Sequence, residues 1–377
     1  MRQFIVRAMV VLAAAALSAP AAPPALARPA DQTTLLQSEL DELVAAADVP
    51  GAQLVYTAAG RVDEFDSGIG DLTSGAPFPD DAQVRVASIT KTFVATVVLQ
   101  LVAEQRVDLD GPLERYLPGV VHGPGGDGAL ITVRDLLRHT SGIPNYLPLL
   151  EQESVADLTA ARTADDLIRL GLGSASESLP GTSFGYSNTN YLLAGKLVER
   201  VTGLPIAVAV TQRILVPLGL FDTYWPLFPI DDVLHGPHPR GYHRFGDLRL
   251  DVTDIDAAWG LPDGAMVSTG RDLNRFYLAL LAGELLAPAL LEQMQHTVPT
   301  GLVGFSEGSG LGLFRFSTGC GRSAWGHTGS IHGFSTVTVA AEDRAVTVVL
   351  NELPGVSGNI GLIVGTDAML ETVLCER

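Results

Sequence analysis

The chain has 377 residues, 47% hydrophobic and 18% charged, a composition that argues against a disordered chain and provides for a large buried core. Its formal net charge is −18. A field of that sign repels a phosphate backbone, and no basic run reverses it locally, so nucleic acid is not an expected partner. Residues 1–27, MRQFIVRAMVVLAAAALSAPAAPPALA, place Arg2 and Arg7 ahead of an apolar run and end on Ala25-Leu26-Ala27. That is the order of a secretory signal cut after Ala27. Pro20, Pro23 and Pro24 leave the run short of the ~20 residues a spanning helix needs. The mature chain is therefore expected to be secreted, with no membrane span after signal cleavage.

Residues 35–47 (LLQSELDELVAAA) read as an amphipathic helix and residues 52–70 as paired strands. Residues 84–105 (VRVASITKTFVATVVLQLVAEQ) turn from loop to long helix near Ser88. Between 107 and 260 lie short helical segments broken by Gly and Pro: TVRDLLRH, TADDLIRLGL, NYLLAGKLVERVTG and IAVAVTQRILVPLGL. Two more helices are expected over 271–296. Strands follow in GLGLFRF (310–316), in RSAWGHTG (322–329), and in a hairpin over 334–352 that turns at Glu342-Asp343-Arg344. A helix over roughly 359–375 ends the chain. The expected class is α+β: an antiparallel sheet built from both chain ends and flanked by helices, with an inserted, mainly helical lobe. After the signal, one domain over 35–377 divides into an α/β lobe (35–106 and 265–377) and a helical lobe (107–264). The even pair Cys320 and Cys375, in an exported chain, is expected to form a disulfide.

Three short motifs carry chemistry. Of the 24 basic residues only Lys91 and Lys196 are lysine, so a lysine three residues after Ser88 in an apolar helix suggests a group that must lose its proton. Arginine cannot do that, whereas a buried lysine can. At i, i+3 the two side chains share a helix face, close enough for the amine to take the hydroxyl proton. The second motif is Tyr186-Ser187-Asn188: a phenol beside a lysine can shuttle a proton, and an asparagine amide can hold a substrate amide. The plainer reading is a helix start, with Ser187 or Asn188 as cap. The third is His327-Thr328-Gly329, a glycine-containing strand edge able to seat substrate and offer a backbone N–H to an oxyanion. There His327 supplies charge, polarises the Tyr186–Lys91 pair, or is simply a core histidine.

Competing motifs fail their own structural tests. Gly181-Thr182-Ser183-Phe184-Gly185 and Gly304-Phe305-Ser306-Glu307-Gly308 fit the G-x-S-x-G elbow but lack the strand entering and helix leaving that it requires. His235, His238 and His243 fall in a Pro/Gly loop without metal-ligand spacing. No phosphate loop or dinucleotide fingerprint is present, so neither metal nor cofactor is expected.

The ordered set S-x-x-K, Y-x-N and H-T-G resembles the serine penicillin-recognising enzymes, in particular the secreted D-alanyl-D-alanine carboxypeptidases of the Streptomyces type. The likeness runs from about residue 35 to the end and includes YSNTNY at 186–191, Trp259 ahead of GAMVSTGRDL, GLGL at 310–313 and Cys375. It implies that Ser88 attacks a carbonyl and that Lys91 takes its proton directly or through Tyr186. The backbone N–H groups of Ser88 and Ser330 would form the oxyanion hole. Tyr186 would protonate the leaving amine, Asn188 hold the acyl-side amide, His327, Thr328 and Gly329 complete the far wall, and Trp259 line the leaving-group side. The chain departs from these peptidases after GLGL, where an arginine that helps bind the substrate carboxylate is replaced by Phe314, with Arg315 next. Adjacent strand residues face opposite ways, so Arg315 reaches the site only if a bulge re-aims it.

Three readings follow. The first is a D-Ala-D-Ala carboxypeptidase or transpeptidase on cell-wall peptides of the peptidoglycan, acylated by β-lactams. The second is an esterase or D-amino-acid amidase with the same centre, favoured by Phe314; a β-lactamase is a further variant. The third is a β-lactam sensor that is acylated and stalls. The partners implied are a small peptide, ester or β-lactam.

Overall fold

The computed structural model describes residues 30–150, 155–301, 306–354 and 369–375. The expected signal (1–27) and most of the expected last helix lie outside the described residues. Alternating apolar residues near the two chain ends assemble a single seven-stranded sheet. β1 (Gly51–Ala58) and β2 (Arg61–Gly68) form a hairpin. Ala59 and Gly60 close it at φ of 50° and 77°, the paired positive φ whose twist suits a two-residue hairpin loop. The remaining strands are β3 (Gly308–Ser309), β4 (Phe314–Ser317), β5 (Ser323–Ile331), β6 (Phe334–Ala341) and β7 (Arg344–Leu350). Their spatial order is β2-β1-β7-β6-β5-β4-β3, every neighbouring pair antiparallel. The pairing of β1 with β7, from Ala52↔Leu350 to Ala58↔Arg344, joins the two chain ends as expected. The β6–β7 hairpin turns at Glu342-Asp343, with Glu342 at φ 54°.

Both faces of the sheet are covered, which is why β6 is buried along its whole length. On one face α1 (Ala30–Ala47) and the helical residues 369–374 set Leu36, Leu40, Leu370 and Val373 against Leu54, Val337 and Val348. On the other face lie α4 (Gly270–Leu281) and the turn Ala87–Ile89 that leads into α2 (Thr90–Ala103), and α2 packs in turn on α3 (Asn188–Thr202). On α4, Asn274 donates to the Val55 carbonyl at 2.9 Å and accepts from the Thr347 hydroxyl at 2.8 Å. α2 is apolar almost all round and accordingly buried. Among the described residues no single helix is long and apolar enough to cross a membrane.

The helices between the two groups of strands start and stop where their caps dictate. Thr132 and Asp135 form a capping box on Val133–Leu137, Thr163 caps Ala164–Leu172, and α3 ends on Gly203 at φ 74°. Two features depart from the sequence reading. A small hairpin, Tyr242–Phe245 with Leu248–Asp251, interrupts the region read as helical; Arg244 and Arg249 tie it to the buried Glu352 at 3.2 and 2.8 Å. The strand expected from residue 310 begins only at Phe314, because Gly312, at φ 72°, packs so closely on Ala95 that no side chain fits there. Cys320 and Cys375 are bridged, with Cα atoms 5.6 Å apart and a sequence separation of 55. Closing that span stabilises the fold by about 4 kcal/mol in the chain-entropy account.

Candidate active site

Ser88 sits where a short strand, Val84–Arg85, gives way to a single turn, Ala87–Ile89, that runs directly into α2. Ala87 holds φ at 46°, a left-handed conformation that costs a side-chain-bearing residue about 1–2 kcal/mol. β5 lies against this turn because Gly329 has no side chain: a Cβ there would run into the Val86 carbonyl and the Ala87 methyl. Ser88 and Ser330 thereby line one cavity of about 280 Å³.

One helical turn on, Lys91 is fully buried. Its Nζ lies 2.9 Å from Ser88 Oγ and donates to the Asp263 backbone carbonyl. It also stands 5.3 Å from the centre of the Tyr186 ring and 5.6 Å from that of Tyr191. Burial lowers the lysine from its ordinary 10.5 to about 8, against the opposing pull of Asp263. A shift of that size raises the neutral fraction near pH 7 by about 300-fold, to roughly one chain in ten. A neutral amine can accept the Ser88 proton.

Tyr186 approaches the same hydroxyl from the segment leading into α3, near enough for the Ser88 side chain to act on its phenol. Burial raises the Tyr186 pKa well above the usual tyrosine value, outweighing the opposing effect of Ser88, so it stays a proton donor through the neutral range. Its ring stacks on His139 at 4.3 Å, while His139 Nδ1 accepts the Ser187 N–H at 3.1 Å. The helix begins at Asn188, yet the Ser187 hydroxyl makes no capping bond, so the plain cap reading is not what fixes this start. Asn188 lines the cavity and donates through its side chain to Asn145 Oδ1 at 3.2 Å.

The structure thus brings Ser88 and Lys91 into direct contact with Tyr186 beside them, and sets Ser88, Asn188 and Ser330 on the same cavity. Thr328 is buried and its carbonyl takes the His327 Nδ1–H at 2.5 Å. Burial and the nearby Lys91 bring His327 down to about 3, so the positive charge considered for it is corrected: it is a neutral imidazole. Trp259 does not line this cavity. Its buried indole N–H donates to the Leu158 carbonyl at 3.3 Å, and Ala257 and Ala258 form the wall instead. Arg315 is also corrected: it pairs with Glu307 at 3.1 Å. Strand alternation gives the inner position to Phe314, whose ring is 6.4 Å from Tyr186 and 4.9 Å from His327. Gly181–Gly185 is loop, as its lack of a leaving helix implies, and part of the second G-x-S-x-G lies outside the described residues. The three clustered histidines have separate partners: Asp231 for His235, the Gly236 carbonyl for His238, and the His332 ring for His243.

Sequence reasoning missed Asp263 and Tyr146. Tyr146 donates to Asp263 Oδ2 at 2.6 Å, and both line the cavity. The available signal was an acid lodged between Pro262 and Gly264 in an otherwise apolar run.

Residues 36–361 match the family model described as Beta-lactamase. The chain belongs to the Beta-lactamase family. It is a serine hydrolase of the superfamily that also holds the penicillin-binding proteins. Among solved structures it is similar to a D-stereospecific amidohydrolase from Streptomyces sp., at TM-score 0.77 and 37% identity over 84% of this chain and 94% of that one. It is also similar to the D-amino acid amidase of Ochrobactrum anthropi SV3, at TM-score 0.80 and 28% identity over 91% and 98%. Among curated proteins, esterase EstB of Burkholderia gladioli is 36% identical over 164 residues, 41% of this chain and 41% of its own. Penicillin-binding protein 4 of Amycolatopsis lactamdurans is 31% identical over 187 residues, 50% and 48%. These matches span less than half the length of either curated relative. The proteins it resembles are thus named as amidohydrolase, amidase, esterase and penicillin-binding protein.

Proposed function

We propose that this chain hydrolyses small amides or esters through an acyl-enzyme on Ser88. The observation that carries the reading is the 2.9 Å contact between Ser88 Oγ and a lysine whose burial brings it to about 8. Neutral Lys91 takes the Ser88 proton as Oγ bonds to the carbonyl carbon, and the carbonyl π pair moves to oxygen. The backbone N–H groups of Ser88 and Ser330 hold that oxyanion. The pair returns as the bond to the leaving nitrogen or oxygen breaks, and the Tyr186 phenol protonates the leaving group, recovering its proton from Lys91. Water then attacks the ester on Ser88 along the reverse proton path. Asn188 positions the acyl-side carbonyl, and His327, Thr328 and Gly329 back the wall. The sequence signal 1–27 and the Cys320–Cys375 bridge support export to an oxidising compartment.

Amides and esters come before terminal D-alanine peptides because Phe314 occupies the position of a carboxylate-binding arginine and Arg315 is engaged by Glu307. The likeness to the amidohydrolase and amidase over more than four-fifths of the chain supports the same order. D-Ala-D-Ala carboxypeptidase action on peptidoglycan peptides stands second, supported by the partial likeness to penicillin-binding protein 4. A panel of D-phenylalanine amide, p-nitrophenyl acetate and an acylated Lys-D-Ala-D-Ala peptide separates the two. The expected result is turnover of the amide and ester, with D-alanine release slower by at least about tenfold, the cost of one missing charge-assisted contact. D-alanine release that outpaces both would reverse the order.

A further inference from the structure

Tyr186 comes to the site on a loop just ahead of α3, and the residue that fixes this loop is His139. The short helix Val133–Leu137 ends just ahead of His139, and the Thr140 hydroxyl locks the turn by donating to Asp135 Oδ1 at 2.7 Å. His139 itself holds φ at 58°, a left-handed conformation that persists only where the surroundings impose it. With that backbone, its carbonyl and its ring both engage the same stretch of chain. The Gly185 N–H donates to the His139 carbonyl at 2.8 Å, and the Ser187 N–H donates to His139 Nδ1 at 3.1 Å. Tyr186 is thus held on both sides by one residue, and its own ring stacks on that residue's imidazole. The next carbonyl, that of Thr140, takes the Gly181 N–H at 2.8 Å and straps down the start of the loop.

The partners of the imidazole decide where its proton sits. Asn190 accepts from the Ser141 hydroxyl through Oδ1 at 2.6 Å, which leaves its amide N–H to face His139 Nδ1 at 3.4 Å. Two N–H donors therefore meet Nδ1, so the ring proton lies on Nε2. Burial, with Lys91 and His327 nearby, keeps the ring from gaining a second proton. Nε2 is buried without a hydrogen-bond partner among the described residues. A phenyl ring would fill the same space and leave no donor unpaired, so packing alone does not account for a histidine here; the Nδ1 acceptor does. We propose that His139 is the positioning residue of the proton donor, its Nδ1 fixing the Tyr186 phenol where the leaving group can take the proton. The proposal rests on the acyl-enzyme reading above and deepens it. His139 is not among the described residues that line the Ser88 cavity, so it acts through Tyr186. A misplacement of about 1 Å is enough to lose about 10²-fold in rate, and here the loss is confined to leaving groups that need a proton.

The test compares kcat/KM for phenyl acetate and p-nitrophenyl acetate in the wild-type protein, in His139→Asn and in His139→Gly. Phenol has a pKa of about 10, like the tyrosine side chain, so its oxygen leaves far better with a proton; p-nitrophenolate leaves without one. Both replacements accept a left-handed backbone and both lose the ring. Asparagine, however, carries an acceptor oxygen on Cγ, where histidine carries Nδ1. His139→Gly is expected to raise the preference for p-nitrophenyl acetate over phenyl acetate by about 30-fold or more, within the range a positioned acid supplies. His139→Asn, with its acceptor kept, is expected to hold that preference within about threefold of wild type, the scale of a slightly altered hydrogen bond. A general loss of packing would lower both rates and leave their ratio. An unchanged ratio in His139→Gly, or an equal change in His139→Asn, overturns the proposal. Ring-nitrogen NMR of the wild-type protein needs no variant to fold: a His139 protonated on Nε2 alone is expected near neutral pH, and a proton on Nδ1 also overturns it. A burst of p-nitrophenol from p-nitrophenyl acetate that depends on Ser88 keeps the two claims apart. With the burst present and the ratio unchanged, only the His139 proposal fails; with no burst, the acyl-enzyme reading fails as well.

Discussion

Replacing Ser88 by alanine is expected to lower turnover of every amide or ester substrate by about 10⁵-fold, leaving a fold indistinguishable by circular dichroism. The size follows from losing a nucleophile whose partners act only through it, the situation in which single replacements cost as much as removing the whole set. The fold survives because Ser88 sits in a short turn at the head of α2 with its backbone set by Ala87 and β5, not by its hydroxyl. Lys91 keeps its bond to the Asp263 carbonyl, so losing one hydrogen bond should lower stability by no more than about 2 kcal/mol. Steady-state rates on p-nitrophenyl acetate, with a thermal melt of both proteins, check the two halves together. Activity within tenfold of wild type in a folded Ser88→Ala protein would remove Ser88 from the chemistry.

The Lys91→Arg variant is expected to lose at least about 10³-fold in kcat/KM, the upper range of what a positioned general base contributes. Arginine keeps the positive charge but cannot release its proton, so the loss separates base chemistry from charge stabilisation. The wild-type pH profile provides the matching signature. Lys91 must be neutral to accept the Ser88 proton, so kcat/KM should rise about tenfold per pH unit and level off above about 8. Three neighbouring groups do not produce that limb: His139 and His327 are pushed down by burial and stay neutral, and Tyr186 is pushed up and stays a phenol. The rising limb should vanish in whatever activity Lys91→Arg retains. An unchanged limb would assign it to another group.

Much of this architecture was legible because its signals are local. Alternation and a two-residue turn mark β1–β2 and β6–β7, and caps such as Thr163 and Gly203 bound the helices. Lys91 stood out because lysine is nearly absent, and the structure places it where an i, i+3 pair must lie. The hairpin at 242–251 escaped notice because its four-residue strands are rich in charge and gain their support from Glu352, about a hundred residues away. Asp263 was invisible for a related reason: its meaning comes from Tyr146 and Lys91, far apart in sequence. Trp259 and Arg315 were misplaced because a motif fixes order along the chain, whereas side-chain direction depends on local backbone. Trp259 stands at φ 49°, and Arg315 is the second residue of a strand that begins at Phe314.

The most direct measurement is the intact mass of the wild-type protein, quenched in acid during turnover of p-nitrophenyl acetate or after exposure to a β-lactam. The account predicts the addition of one acyl group, localised by peptide mapping to the segment holding Ser88 and absent from Ser88→Ala. Turnover with no covalent species, or an adduct on any other residue, would contradict it.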